Sequence, residues 1–495
     1  MPSAFNNEVY INKQTKHIKE RISQFGNKLY LEFGGKLFDD YHAARVLPGF
    51  SPDNKIKLLM EFKDICEILV CINAADIEKN KIRADLGITY DLEILRLIDS
   101  VRASGILVNN VVITQYTGQP AADVFRKKLE KRGVKTYVHY PIPGYPANVD
   151  LIVSDNGYGK NEFVETTRPL VVVTAPGPCS GKMATCLSQM YHEHKRGVTA
   201  GYAKFETFPV WNLPLKHPVN LAYEAATADL KDVNMIDPYH LEMYNIRTVN
   251  YNRDIEVFPV VKTILRRILG KDVYNSPTDM GVNMLAYAIE DDAAVQKAAN
   301  DEIIRRYYKI HCDNLQGRFD TETVDKIELI MNQAGLKKSD RPVVDAAAKK
   351  ALEKNAATMA IQLHTGEIVT GRTTNLMTAA ASCTLNALKK LAGLDDALLM
   401  IAPLVLEPTL KLKQHIYGTD KPLLSLEEVL ISLSICAVTN TLADIALKNL
   451  SLLSGCEAHS TVILSQTDDI VCKKLGYNLT CEPAFPSNDL FDGNF

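Results

Sequence analysis

Apolar residues in the first 200 positions alternate between short continuous runs and helical spacing. Ile18, Ile22 and Phe25 mark one face of an amphipathic helix over residues 12–25. Leu29-Tyr30-Leu31-Glu32-Phe33 then reads as a strand, and Gly34-Gly35 as its turn. A second strand falls at Ile68–Ile72, a helix at 91–103, and a third strand across Ile106–Ile113. Pro120 suits the first turn of a helix, where its missing N–H costs nothing, and that helix runs to Gly133. Residues 134–140 and 170–174 are strand-like again, and Met183, Cys186, Leu187, Met190 and Tyr191 repeat at helical spacing up to a stop at Gly197. Strands alternating with helices of this length imply βαβ units and a mainly parallel sheet.

The rhythm changes twice. Residues 203–220 are rich in proline and aromatics, show no clean period and hold Trp211, the single tryptophan. An irregular stretch of this length suggests a lid carrying Lys204, Lys216 or His217, or else a structural loop. From 236 to 355 the pattern is helical, with Asp237 and Asp254 placed to cap helices. An α/β pattern returns near 357: a hairpin turning at His364-Thr365-Gly366, a small-residue helix at 374–391, a strand at Leu398–Ile401, two helices in 425–453 and closing strands at 459–465 and 477–481. The expected fold class is therefore α/β. It comprises an N-terminal, mainly parallel, Rossmann-like or P-loop-like sheet (1–235, with the P-loop-like segment 170–196), a helical middle region (236–355) and a smaller C-terminal α/β subdomain (356–495).

The junction of the 170–174 run with the following helix carries the sharpest chemistry. Gly177-Pro178-Cys179-Ser180-Gly181-Lys182 joins a buried strand to a helix start, where free backbone N–H groups and one lysine form a socket for an anion. A P-loop asks for Gly, four residues, Gly-Lys and then a hydroxyl residue. Here Pro176 stands in the first slot and Met183 in the last, so either Thr185 or Thr174 supplies a hydroxyl for Mg²⁺ or water and a carboxylate hold it. Cys179, just ahead of a helix N-terminus, is a rival candidate as a thiolate nucleophile.

Composition narrows the rest. A length of 495 residues implies more than one core. A net charge of −3 gives no reason to expect nucleic acid or an anionic membrane as partner. No apolar run approaches the ~18 residues that span a bilayer. The N-terminus lacks the basic and apolar regions of a secretory signal, and ten scattered cysteines without a Cys-x-x-Cys pair suit a reducing compartment, so a cytoplasmic location is expected. His364, Cys456 and His459 are the residues a metal would use, but Pro-Cys-x-x-Cys, the zinc-deaminase signature, is absent.

Four stretches carry a resemblance: Leu31-Glu32-Phe33-Gly34-Gly35-Lys36-Leu37, Thr174–Thr185, Lys204-Phe205-Glu206-Thr207-Phe208-Pro209 and Asn250-Tyr251-Asn252-Arg253-Asp254. Over essentially its whole length the chain resembles a family of uncharacterised bacterial proteins defined by a domain of unknown function. The resemblance implies a three-part architecture whose last part is similar to cytidine-deaminase-like folds. It also implies glycine where this chain has Cys179, which argues against an essential thiol, and it brings no assigned reaction.

Three functions are consistent with these residues. The first is a nucleotide- or phosphate-binding enzyme, performing phosphoryl transfer or ATP-dependent ligation with Mg²⁺. Gly177, Pro178, Cys179, Ser180, Gly181, Lys182 and Thr185 would hold the ligand, and Lys182, Arg253 and Asp254 would be catalytic. The second is a non-catalytic homo-oligomeric assembly protein. The third is a metal-dependent hydrolase. The expected partner is a small anionic or phosphorylated molecule.

Overall fold

In a computed structural model describing residues 3–83, 86–416 and 422–487, the chain divides into two compact units. One is Met1–Glu224 with Asp232–Ala299; the other is Ala225–Lys231 with Asn300–Phe495. The breaks expected at 235 and 355 both fall inside these units.

The first unit is built on seven strands: β1 (Leu29–Phe33), β2 (Cys66–Asn73), β3 (Leu107–Thr114), β4 (Lys135–Val138), β5 (Leu170–Thr174), β6 (Gly201–Phe205) and β7 (Gly281–Val282). They lie in the order β7-β6-β1-β5-β2-β3-β4, and every neighbouring pair is parallel. The principal helices of this unit are α1 (Asn7–Gln24), α2 (Tyr90–Ala103), α3 (Pro120–Glu130), α4 (Lys182–Lys195) and α5 (Asn252–Leu269). A sheet covered on both faces demands near-continuous apolar strands, and β5 is buried at all five positions. Three buried charged residues break that rule: Glu67 in β2, and Glu32 in β1 and Lys204 in β6, which face each other in register.

Strand order fixes where a ligand belongs. From β1 through β2 and β3 to β4 the chain steps toward one edge; from β5 through β6 to β7 it steps toward the other. Right-handed crossovers then put the two sets of helices on opposite faces. In agreement, α2 packs on β2 and β3, whereas α4 packs on β1, β5 and β6. Neighbouring β5 and β2 lead in opposite directions, so a crevice opens beyond their carboxyl ends. Two elements escaped the periodic pattern: the edge strand β7 and an antiparallel ribbon pairing Asn234–Ile236 with Val249–Tyr251. Both are too short, at two and three residues, to show a period.

The second unit holds β8 (Thr358–Gln362), β9 (Ile368–Arg372), β10 (Glu457–Ser460) and β11 (Asn478–Cys481), in the order β9-β8-β10-β11. β8 is antiparallel to both neighbours, and β10 and β11 are parallel. Its helices include α6 (Asp292–Leu315, from Asn300 onward), α7 (Thr321–Gln333), α8 (Pro342–Lys354), α9 (Ala379–Leu391), α10 (Pro403–His415), α11 (Leu426–Cys436) and α12 (Thr441–Lys448). Val343 and Ala347 of α8 pack with Ala360 and Ile368 on one face of the sheet. Met359 and Ile361 join Ala380, Ala381 and Cys383 of α9 on the other. The hairpin at 364–366 forms as expected, with Gly366 at φ +86°. Leu398–Ile401, expected as a strand, is instead a loop leading to Pro403 at the first turn of α10. Its leucines cover a cavity and take no place in the sheet.

One ionic cluster stitches this unit together. Glu302 accepts from Arg305 and Arg306 at 2.8 and 3.0 Å. Glu457 of β10 pairs with Arg305 at 3.0 Å and also with Arg341. Arg341 donates further to Thr480 Oγ1 at 3.1 Å and to the carbonyl of Ala458 at 2.9 Å.

Candidate functional site

The loop from Ala175 to Gly181 leaves β5 and enters α4 at the crevice. Cys179 adopts φ +58° and Gly181 φ +84°, so the chain turns twice through the left-handed region within three residues. Gly181 precedes α4 and supplies no side-chain cap, which leaves the first N–H groups of the helix for another acceptor. Both glycines are fixed by contact. A Cβ on Gly177 would lie 2.2 Å from the Tyr90 hydroxyl, and one on Gly181 would lie 2.9 Å from Thr114 Cγ2. Thr114, at the end of β3, donates to the Ser180 carbonyl at 2.9 Å, and Asn73, at the end of β2, reaches the Cys179 carbonyl at 3.4 Å. The loop is thus held by the strand ends on the far side of the switch point. Ser180 is buried and turns its hydroxyl back to the Gly177 carbonyl, at 3.0 Å, while Pro178 and Cys179 are exposed.

Lys182, the first residue of α4, is half-buried and has no ion pair or hydrogen bond among the described residues. Thr185 is fully enclosed, with its hydroxyl 3.4 Å from the Cys71 thiol. Met183 stands in the usual hydroxyl slot, Thr185 faces the sheet and Thr174 is buried at the end of β5, so none of the three presents a hydroxyl in the P-loop manner. Anion binding by N–H groups and Lys182 fits these residues.

A second group of side chains stands at the same edge of the sheet. Lys204 Nζ pairs with Glu206 at 2.7 Å and with Asp254, and contacts the Tyr251 hydroxyl. Tyr251 donates to Glu206 at 2.7 Å, and Tyr202 donates to Glu32 at 2.7 Å. All of these side chains are buried. Burial opposes the charge on Lys204, but Asp254, Glu206 and Glu32 outweigh it and raise its pKa well above the ordinary value. One ammonium cannot serve three carboxylates equally. Burial, with the Asp254 charge adding to it, lifts the Glu206 carboxyl to about 7 against the pull of Lys204. Glu32 links this cluster to the loop: its charge acts on Lys204 and also on Cys71 and Cys186, the two thiols that feel Lys182.

The structure separates the two catalytic candidates at 253 and 254. Asp254 lies in the first turn of α5 and spends its carboxylate on Lys204 and not on capping; Tyr251 holds the N-cap position. Arg253 turns away to Asp232, with Nη2 to Oδ2 at 2.8 Å. Asp237 does cap its helix, through the N–H groups of Tyr239 and His240. Lys204 belongs to a strand, and His217 pairs with Asp292 at 3.0 Å. The metal candidates have other contacts: His364 with the Ser454 carbonyl at 2.9 Å, Cys456 with the Leu452 carbonyl at 3.6 Å, and His459 through Nδ1 with Thr480 at 2.9 Å, its Nε2 lying 3.5 Å from Glu482. Among the described residues no group of three or more His, Cys, Asp or Glu side chains is placed to hold a metal ion. Sequence reasoning missed Glu32, Glu206 and the Tyr202 and Tyr251 hydroxyls. The available signal was a charge inside strands that are otherwise apolar on both faces.

Fold and site together define a doubly wound parallel α/β protein with a glycine-bearing loop at its switch point and a buried acid–lysine cluster beside it. The chain belongs to the family of the domain of unknown function DUF1846, whose N-terminal part matches residues 3–335 and whose C-terminal part matches residues 339–491. It is similar to a UPF0371 protein of Clostridium tetani, 54% identical with both chains covered completely. It is likewise similar to one of Streptococcus thermophilus, 56% identical over 99% of each chain. A third, from Clostridioides difficile, is 52% identical over 99% of this chain and 100% of the relative. No helix among the described residues is long and apolar enough to cross a membrane.

Proposed function

We propose that the protein is an enzyme acting on a small phosphorylated molecule, bound across the carboxyl ends of β5, β1 and β6. The phosphate sits against the N–H groups opening α4, with Lys182 as its counter-charge. Glu206 exchanges a proton with the substrate, since a carboxyl titrating near neutrality serves as both acid and base. Lys204 and Tyr251 hold Glu206 in place, and Asp254 and Glu32 fix the charge on Lys204. A nucleotide is one member of this ligand class, and phosphoryl transfer or ligation is the matching chemistry. Arg253, bound to Asp232, has no part in it. The observation that carries the reading is Lys182, without an ion pair or hydrogen bond among the described residues, at the opening of α4 on a switch-point loop. Calorimetry with ATP, GTP and inorganic phosphate tests it. Lys182→Ala is expected to weaken binding about ten- to a hundredfold, the worth of one charge-assisted hydrogen bond. Equal heats for both proteins, or none for either, end the proposal.

A second reading, assembly of identical chains, draws on Ile431, Ile435 and Val438. These lie 54%, 57% and 83% exposed along α11 and just beyond it. The small-residue helix α9 offers it no free face, because Ala380, Ala381, Cys383, Ala387 and Leu388 lie in the core of its own unit. Light scattering that finds a monomer at every concentration removes this reading.

A further inference from the structure

The second unit contains a cavity of about 800 Å³ along the open edge of β9, a size suited to a small organic ligand. β9 has a neighbour on one side only. One wall is aliphatic: Leu376, Leu385, Leu398, Leu399, Met400 and Leu406. The rim is cationic, with Lys350 and Lys354 from α8, Arg372 from the end of β9 and Lys389 from α9. Lys350 and Lys354 stand one helical turn apart and so share a face.

These charges are poorly compensated. Lys354 has no ion pair among the described residues, and Arg372 donates only to the Thr373 carbonyl, at 3.3 Å. Lys350 has only Glu353, at 3.8 Å, and Lys389 donates to the Asp396 carbonyl at 2.7 Å. Of the two acids lining the cavity, Glu407 is taken by Lys411 at 2.8 Å. Ser382, which also lines it, has a buried hydroxyl with no hydrogen-bond partner. A buried polar atom without a partner costs free energy unless a ligand or water meets it. An added β-strand is disfavoured, because Asn386 Nδ2 already donates to the Thr370 carbonyl at the middle of the edge, at 3.0 Å.

We infer that this cavity binds a free amphipathic anion, with an aliphatic body against the leucine wall and a carboxylate or phosphate head held by Arg372 and Lys354. The site is independent of the loop at Lys182 and rests on none of its chemistry. Decanoate below its micelle concentration is the probe, titrated calorimetrically into the full chain, with decanol as the uncharged control. Saturable binding of decanoate is expected. The double variant Arg372→Gln/Lys354→Gln is expected to bind it at least about tenfold more weakly, with an unchanged unfolding midpoint and unchanged affinity for decanol. Ser382→Ala should weaken decanoate binding less. Failure of decanoate to bind, equal affinity of the double variant, or equal affinity for decanoate and decanol would overturn the inference. So would capture by anionic phospholipid vesicles without binding of the monomeric amphiphile, or displacement of decanoate by an uncharged extended peptide.

Discussion

Two of the ionic clusters, one in each unit, are built from similar side chains and are balanced in opposite ways. Around Glu457 and Glu302, three arginines meet two carboxylates, and the spare donors of Arg341 go to main-chain carbonyls and Thr480. Around Lys204, one ammonium meets Glu206 and Asp254 directly and Glu32 through the field. The first cluster is saturated. Burial pushes the Glu457 carboxyl up, but Arg305 and Arg341 outweigh it, and the group ends below the usual carboxylate range. The second has one ammonium for three carboxylates, and burial, with the Asp254 charge adding to it, lifts the Glu206 carboxyl to about 7 against the pull of Lys204. Buried charge by itself therefore does not mark a site.

The largest expected effect breaks the saturated cluster. Arg341→Met leaves Glu457 with one arginine and strips two carbonyls of a donor, so denaturant unfolding of this protein should lose about 3–5 kcal/mol. A loss below about 1 kcal/mol would show that Arg341 is not what holds the start of α8 to β10 and β11.

The next effect is one of sign. A carboxyl raised by folding contributes stability that is complete below its unfolded pKa and is lost as pH rises through the folded value. For Glu206 the window runs from 4.5 to about 7. Glu457, lowered by folding, contributes stability present above the ordinary carboxylate range and lost as pH falls through its folded value. Melting temperatures followed from pH 5 to 8 should therefore decline less for Glu206→Gln than for wild type. Glu457→Gln should erase part of the loss seen on acidification. Identical slopes for wild type and Glu206→Gln would put the proton elsewhere.

The smallest effect concerns the loop. Cys179 holds φ +58°, a conformation costing a side-chain-bearing residue roughly 1–2 kcal/mol. Cys179→Gly should leave phosphate binding intact and stabilise the fold by up to about 1 kcal/mol, after the added flexibility of glycine in the unfolded chain is counted. Loss of binding in this variant would restore the thiol as a functional group.

Much of the parallel sheet was legible because strands covered on both faces are near-continuously apolar, as Leu170–Val173 and Ile68–Ile72 are. The strand–loop–helix at Lys182 was legible for the same reason. Short elements were not: β7 and the ribbon at 234–236 and 249–251 owe their form to neighbours and not to their own pattern. Leu398–Ile401 shows the converse error, an apolar run that lines a cavity and makes no strand. The acid–lysine cluster was hidden by distance along the chain. Glu32, Lys204 and Asp254 lie on three separate elements, and only the parallel register of β1 with β6 brings the first two together.

Trp211 follows Glu206 by a few residues on the irregular segment leaving β6, with its ring against Gly281 of β7 and its indole nitrogen buried without a partner. As the single tryptophan, it gives the first unit a built-in optical probe. Emission excited at the red edge of the protein band therefore reports from this one position beside β7, in unlabelled material and in real time.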